Sequence, residues 1–298
     1  MGGLHAPLLH ANWNLSYACR FDCAHCYSRD RLRSTDELDL EGKLAVADNI
    51  ASSRVFDVNL GGGEPLDCPD VYAIAERLAD GGVTVSICTN GWQADPGGAR
   101  YLHGCGVGRV YISLDGACAE THDALRRHGG SFASALDAVA TYRDAGMEVG
   151  ISTTVTSTNF EELGAITELA ESRGAASIEF KRLKREGNAR GRSDLELTPE
   201  QEDELIGAFP GIRDGVSIPA SLIYGFDGVE GIDEGCPCGK SVLAIMADGT
   251  ISPCVYSRIP LGNATVDRID DVWFGSPALE RFRSTGACPG LGFDIEQV

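Results

Sequence analysis

Short apolar runs alternate with longer amphipathic ones for about 175 residues, and this rhythm limits the possible folds more than any other feature. Leu8–Tyr17, Val55–Leu60, Val83–Cys88, Arg109–Leu114, Met147–Val155 and Ser177–Leu183 read as strands. Leu40–Ser53, Asp70–Asp80, Pro96–His103, Ser131–Ala145 and Phe160–Arg173 read as helices. In the fourth of these, Phe132, Leu136, Val139 and Tyr142 share one face. Gly, Asn or Asp turn residues bound the strands. Strands separated by helices are joined by right-handed crossovers, which gives a parallel α/β barrel or open sheet. Six units are fewer than the eight of a closed barrel. A chain of 298 residues that is 43% hydrophobic can bury one large domain, or a domain with an appendage.

No apolar run approaches the roughly 18–20 residues of a membrane span. The N-terminus has no basic region ahead of an apolar one, so no secretory signal is read. Eleven cysteines in such a chain point to metal ligation in a reducing cytoplasm rather than to a disulfide framework. Cys68, Cys88, Cys105 and Cys118 stand singly and read as small buried hydrophobes. A net charge of −19 argues against nucleic acid. It suits a small cationic substrate. The charge is uneven: residues 181–192 carry Lys181, Arg182, Lys184, Arg185, Arg190 and Arg192 against Glu186, and residues 194–235 are strongly acidic. That acidic block reads as a solvated helix face and loop, or as a rim that attracts a polycation.

Cys19-Arg-Phe-Asp-Cys23-Ala-His-Cys26-Tyr27 follows the first apolar run, with its cysteines at C-x3-C-x2-C spacing. Three thiolates on one loop suit a cubane iron–sulfur cluster, whose iron prefers sulfur ligands. The next cysteine, Cys68, is far along the chain, so one iron is left for another ligand. A zinc site completed by His25 is the alternative from spacing alone. The triplet with aromatic Tyr27 resembles the cluster loop of radical S-adenosylmethionine (SAM) enzymes. That resemblance implies a 4Fe–4S cluster on Cys19, Cys23 and Cys26, with SAM chelated to the open iron through its amino and carboxylate groups. It implies reductive cleavage of SAM to methionine and a 5′-deoxyadenosyl radical, fed by a flavodoxin- or ferredoxin-type electron donor. It also implies a partial (β/α)6 TIM-like barrel, open on one side for substrate, with the site at the C-terminal strand ends.

Polar motifs stand at those ends. Gly61-Gly62-Gly63-Glu64-Pro65 follows the second strand; its glycines allow close backbone approach, and in the family this motif holds the SAM amino group. Cys88-Thr89-Asn90-Gly91 and Ser113-Leu114-Asp115-Gly116 resemble family turns after the third and fourth strands. Asn90, Ser113 and Asp115 suit ribose hydroxyls or substrate, although β-turn chemistry explains the last two equally well. Ser152 on the fifth strand is placed toward the adenosyl group. Arg185, past the sixth strand, is the candidate for the methionyl carboxylate, with Lys181 and Arg182 competing.

A second cysteine group comprises Cys236, Cys238, Cys254 and Cys288, with a β-hairpin read at Val242–Met246 and Thr250–Ser252. It resembles the auxiliary-cluster extension of radical SAM enzymes, in its twitch form more than the longer SPASM form. The resemblance implies an auxiliary 4Fe–4S cluster on Cys236, Cys254 and Cys288, with Cys238 as fourth ligand or free. A zinc ribbon is the alternative. The expected division is a barrel over 8–195, an acidic connector over 196–232 and the extension over 233–298.

Size, charge and cysteine count together suit a neomycin-type aminoglycoside epimerase, with Cys254 or Cys238 returning hydrogen to the substrate radical. An aminocyclitol dehydrogenase and a ribosomal-peptide maturase are the alternatives among enzymes. The first strand begins near residue 8, which leaves no N-terminal leader-binding domain and weighs against the maturase. An iron–sulfur electron carrier or scaffold is the alternative outside catalysis.

Overall fold

The computed structural model describes residues 7–30, 36–92, 94–223 and 237–285. Seven parallel strands form its centre: β1 (His10–Ser16), β2 (Asp57–Gly62), β3 (Thr84–Thr89), β4 (Val107–Ser113), β5 (Glu148–Val155), β6 (Ser177–Arg182) and β7 (Ala220–Ile223). They are hydrogen-bonded in chain order, so each crossover returns to the neighbouring position. Helices α1 (Leu40–Ala51), α2 (Val71–Asp80), α3 (Pro96–Gly104), α4 (Ala119–Arg126), α5 (Ser131–Asp144), α6 (Leu163–Ser172) and α7 (Pro199–Asp214) fill the connections. This is the partial barrel expected from the alternation. Val58, Leu60, Val85, Ile87, Val110 and Ile112 are fully buried, as both-face covered parallel strands require.

Local chemistry starts the helices where the chain must turn. Asp39 caps α1 by accepting from the Gly42 amide at 2.9 Å, and Asp95 caps α3 from Gly98 at 2.7 Å with Pro96 next in line. Thr198 and Gln201 form a capping box on α7.

Helix α4 and strand β7 were not foreseen, and the helix face read in the acidic block is α7. The last two lie inside the acidic connector, and β7 adds a seventh parallel strand beside β6. The extension also joins the sheet. The hairpin of β8 (Val242–Ile245) and β9 (Thr250–Ser252) runs on to β10 (Gly262–Asn263), and β8 pairs in parallel with β1 over His10–Trp13. Helices α8 (Ile269–Gly275) and α9 (Pro277–Thr285) follow, with Trp273 fully buried. No described helix is long and apolar enough to cross a membrane.

Candidate active site

A cavity opens along the inner, C-terminal ends of β1 to β6 and meets the extension at Cys238, Cys254, Val255 and Tyr256. Cys19, Cys23 and Cys26 all line it, as do Tyr27, Gly62, Gly63, Asn90, Ser113 and Ser152. Tyr27 donates to Asn14 at 3.1 Å and packs edge-on against Tyr256, with centroids 5.0 Å apart. Cys236 and Cys288 lie outside the described residues.

The residues in this cavity fit a thiolate-held cluster and SAM. Burial pushes the Cys19 thiol up to about 12 and the Cys23 thiol to about 11. Iron binding must therefore displace protons from them. At Gly63 an added Cβ would meet the Ala18 carbonyl at 2.2 Å, and at Gly62, where φ is 119°, it would meet that of Ser16 at 2.2 Å. Only glycine lets this turn lie against the cysteine loop and still present its backbone to the cavity. Beside the loop, His25 Nδ1 and Arg126 Nε are buried without a hydrogen-bond partner.

Three expected residues lie elsewhere. Glu64 does not line the cavity. Its carboxylate accepts from the Thr89 hydroxyl at 2.7 Å, the Asn90 amide at 2.8 Å and the Leu66 amide at 3.1 Å, tying the end of β2 to the end of β3. Burial pushes it up to about 7 against the pull of those donors. Asp115, fully buried, also faces away. It pairs with Arg126 at 2.7 Å and His25 at 3.3 Å and accepts from the Thr154 amide at 2.8 Å. Burial alone would push Asp115 up, but Arg126, then the histidines, hold it below its ordinary value. Burial in turn drives His25 down to about 4. Asp115 thus ties the cysteine loop to Arg126 and to the end of β5. Arg185 is exposed and pairs with Glu196 outside the cavity. Its competitors Lys181 and Arg182 line the wall instead.

Several lining residues escaped the sequence reading: Asn12, Asn14, Asn59, Arg29, Arg126, Lys184 and Tyr256. Cys88, read as a core thiol, is also on the wall. The two-residue period of β3 was the available signal, because it puts Cys88 on the face opposite the fully buried Ile87. Arg29 bridges the Cys19 and Phe21 carbonyls at 3.4 and 3.2 Å, and the Arg126 guanidinium stands 4.0 Å from the Cys23 sulfur.

Comparison with known proteins agrees with this architecture. The profile of the radical SAM superfamily matches residues 13–170, and that of an iron–sulfur cluster-binding domain, SPASM, matches residues 236–290. The chain is 33% identical over 303 aligned residues to mycofactocin maturase MftC of Mycobacterium ulcerans, covering 97% of this chain and 81% of the relative. It is 28% identical to the AdoMet-dependent heme synthase of Methanosarcina barkeri, covering 94% and 85%. Among solved structures, Streptococcus suis SuiB bound to precursor peptide SuiA superposes with a TM-score of 0.74 at 15% identity, covering 94% of this chain and 67% of SuiB.

Proposed function

Since the chain belongs to the radical SAM superfamily and carries the SPASM-type extension, we propose that it is a maturase that modifies a peptide. Its cofactors are a 4Fe–4S cluster that binds SAM and an auxiliary cluster. When bound and reduced, the first supplies a 5′-deoxyadenosyl radical able to take hydrogen from an unactivated C–H bond. The identity to a mycofactocin maturase across 97% of the chain carries the peptide reading.

Within it, Cys19, Cys23 and Cys26 hold the first cluster, and the Gly62–Gly63 backbone takes the amino group of SAM. Asn90, Ser113 and Ser152 offer hydrogen bonds to the adenosyl portion, and Lys181 or Arg182 takes the methionyl carboxylate. Cys236, Cys238, Cys254 and Cys288 are the ligand set for the auxiliary cluster. Cys238 and Cys254 are both buried on the cavity wall.

The aminoglycoside epimerase expected from composition loses its physical argument at the wall. Among the described residues, the acidic balance that suited a polycation is not carried into the cavity, whose charged lining there is basic. A tetrapyrrole substrate is the second reading, favoured by the 28% identity to a heme synthase over 94% of the chain.

Anaerobic reconstitution with SAM, dithionite and a library of short synthetic peptides tests the proposal. A mass change in one peptide, with matching 5′-deoxyadenosine, is the expected result. SAM cleavage that is stimulated by a porphyrin and by none of the peptides would overturn it.

A further inference from the structure

Each sulfur of the cysteine loop has a polar neighbour. The Phe21 amide donates to Cys19 Sγ at 3.4 Å, and the Ser28 hydroxyl lies 3.5 Å from Cys26 Sγ. Both are neutral. The neighbour of Cys23 Sγ is the Arg126 guanidinium, at 4.0 Å, and it carries a full charge.

Helix α4 delivers that charge. Its C-terminal turn docks on the loop, where the Leu125 carbonyl accepts from the Ala24 amide at 2.8 Å, and Arg126 is its last residue. The chain then turns through Arg127, whose φ of 50° is the one positive value at a non-glycine position among the described residues. A cation at a helix C-terminus offsets the helix dipole, but an exposed side chain does that equally well. Arg126 is buried instead, and its Nε has no hydrogen-bond partner. Taking a guanidinium out of water is costly, so this position calls for anions around it. Asp115 supplies one at 2.7 Å, and an iron-bound Cys23 thiolate would be another. His25, which also touches Asp115, is driven down to about 4 by burial and so adds no charge near neutral pH.

The pair sums to zero, so its order in space decides its effect. Arg126 lines the cavity and Asp115 does not. Burial raises the Cys23 thiol most, but among the charges Arg126 pulls it down more than Asp115 pushes it up. Reduction adds one negative charge to a cluster on these sulfurs, whichever low-potential donor supplies the electron. A cation at a ligand sulfur favours that reduced state.

We propose that Arg126 is a positioning residue for charge: acting through the Cys23 sulfur, it raises the reduction potential of the SAM-binding cluster, and Asp115 holds it there. The proposal rests on the cluster assigned to Cys19, Cys23 and Cys26, and not on which substrate is modified.

Reconstituted enzyme without SAM is poised anaerobically over a series of low potentials, and the reduced cluster is counted by electron paramagnetic resonance. The signal followed is the one that changes when SAM is added to a parallel sample, which separates it from the auxiliary cluster. The auxiliary cluster and the other bases of the cavity are common to every form compared, so they drop out of the differences. In Arg126→Gln the ratio of reduced to oxidised cluster at a fixed potential should fall about tenfold, a drop of about 59 mV for one electron. Asp115→Asn should shift the potential the opposite way, and Arg126→Lys should stay close to the unaltered enzyme. The double variant Asp115→Asn with Arg126→Gln should show a smaller fall than Arg126→Gln alone. An unmoved potential in Arg126→Gln overturns the proposal. Shifts of the same sign in both single variants also overturn it, because they report a loosened site rather than a charge. If the single variants fail to fold, the double variant decides: a potential below that of the unaltered enzyme supports the proposal, and an equal or higher one overturns it. Absence of any SAM-sensitive signal from the unaltered enzyme overturns the cluster assignment itself.

Discussion

Glu64 and Asp115 are alike in sequence terms: each is a motif acid two residues past the end of a barrel strand, and each is cut off from water. Their surroundings differ. Glu64 is held by a hydroxyl and two amides, all neutral, and burial leaves its carboxyl raised to about 7. Asp115 is held by a guanidinium, and its carboxyl stays below the ordinary range despite equal burial. Neutral donors orient a buried carboxylate but do not offset the loss of water, whereas a cation does both. One acid is a tie between two strand ends. The other is the counter-charge that allows Arg126 to sit beside the Cys23 sulfur.

The difference is most exposed by Asp115→Asn. It strands a buried guanidinium, and the expected loss is about 3–5 kcal/mol of stability in denaturant titration. Combining it with Arg126→Gln should cost much less than the sum of the two single changes; additivity would show that the pair does not act as a unit. Glu64→Gln turns an amide NH2 toward a donor that Glu64 satisfied, at a cost of about 1–3 kcal/mol. The pH dependence separates the two acids further. The folded-state value of Glu64 lies above the ordinary 4.5, so the folded protein holds an extra proton between 4.5 and about 7. Its contribution to stability is therefore largest at low pH and falls as pH rises through that window. Melting temperatures of the apoprotein from pH 4.5 to 7.5 should show this fall, and Glu64→Gln should flatten it. The smallest effect belongs to a surface control. Arg258 of the extension bonds Asp30 and approaches Glu186 at 3.5 Å, with about half of its side chain exposed. Arg258→Ala should cost no more than ~1 kcal/mol, and less at high salt. A larger loss would mean that exposed and buried ion pairs here do not differ as supposed.

These acids also show where sequence reading stops. Motif spacing located them, and strand periodicity put their neighbours at the right end of the barrel. Orientation past a strand end depends on what packs around it, and the inward turn of Asp115 was not legible because α4, which carries its partner Arg126, was not foreseen. The short helix has a weak apolar pattern, with Leu125 its one large buried apolar residue. Helix α7 was legible only as a solvated helix face with no bounds, because just Leu205 and Phe209 are buried along its 16 residues. Strand β7 has four residues, too few for a period to register. Net charge pointed to a polycation, but a sum over the chain carries no information about placement, and the charged side chains on the cavity wall among the described residues are basic.

The parallel pairing of β8 with β1 acts as a ruler. Strand β1 leads directly into the Cys19 loop, and β8 leads through the hairpin to Cys254, with His10 opposite Val242 and Trp13 opposite Ile245. The offset between the two cysteine groups can change only in ladder steps of about 3.3 Å. A single step would also turn every side chain of β8 to the other face of the sheet. The spacing across which the two ends of this chain cooperate is thus set in discrete increments by backbone hydrogen bonds, before any iron is bound.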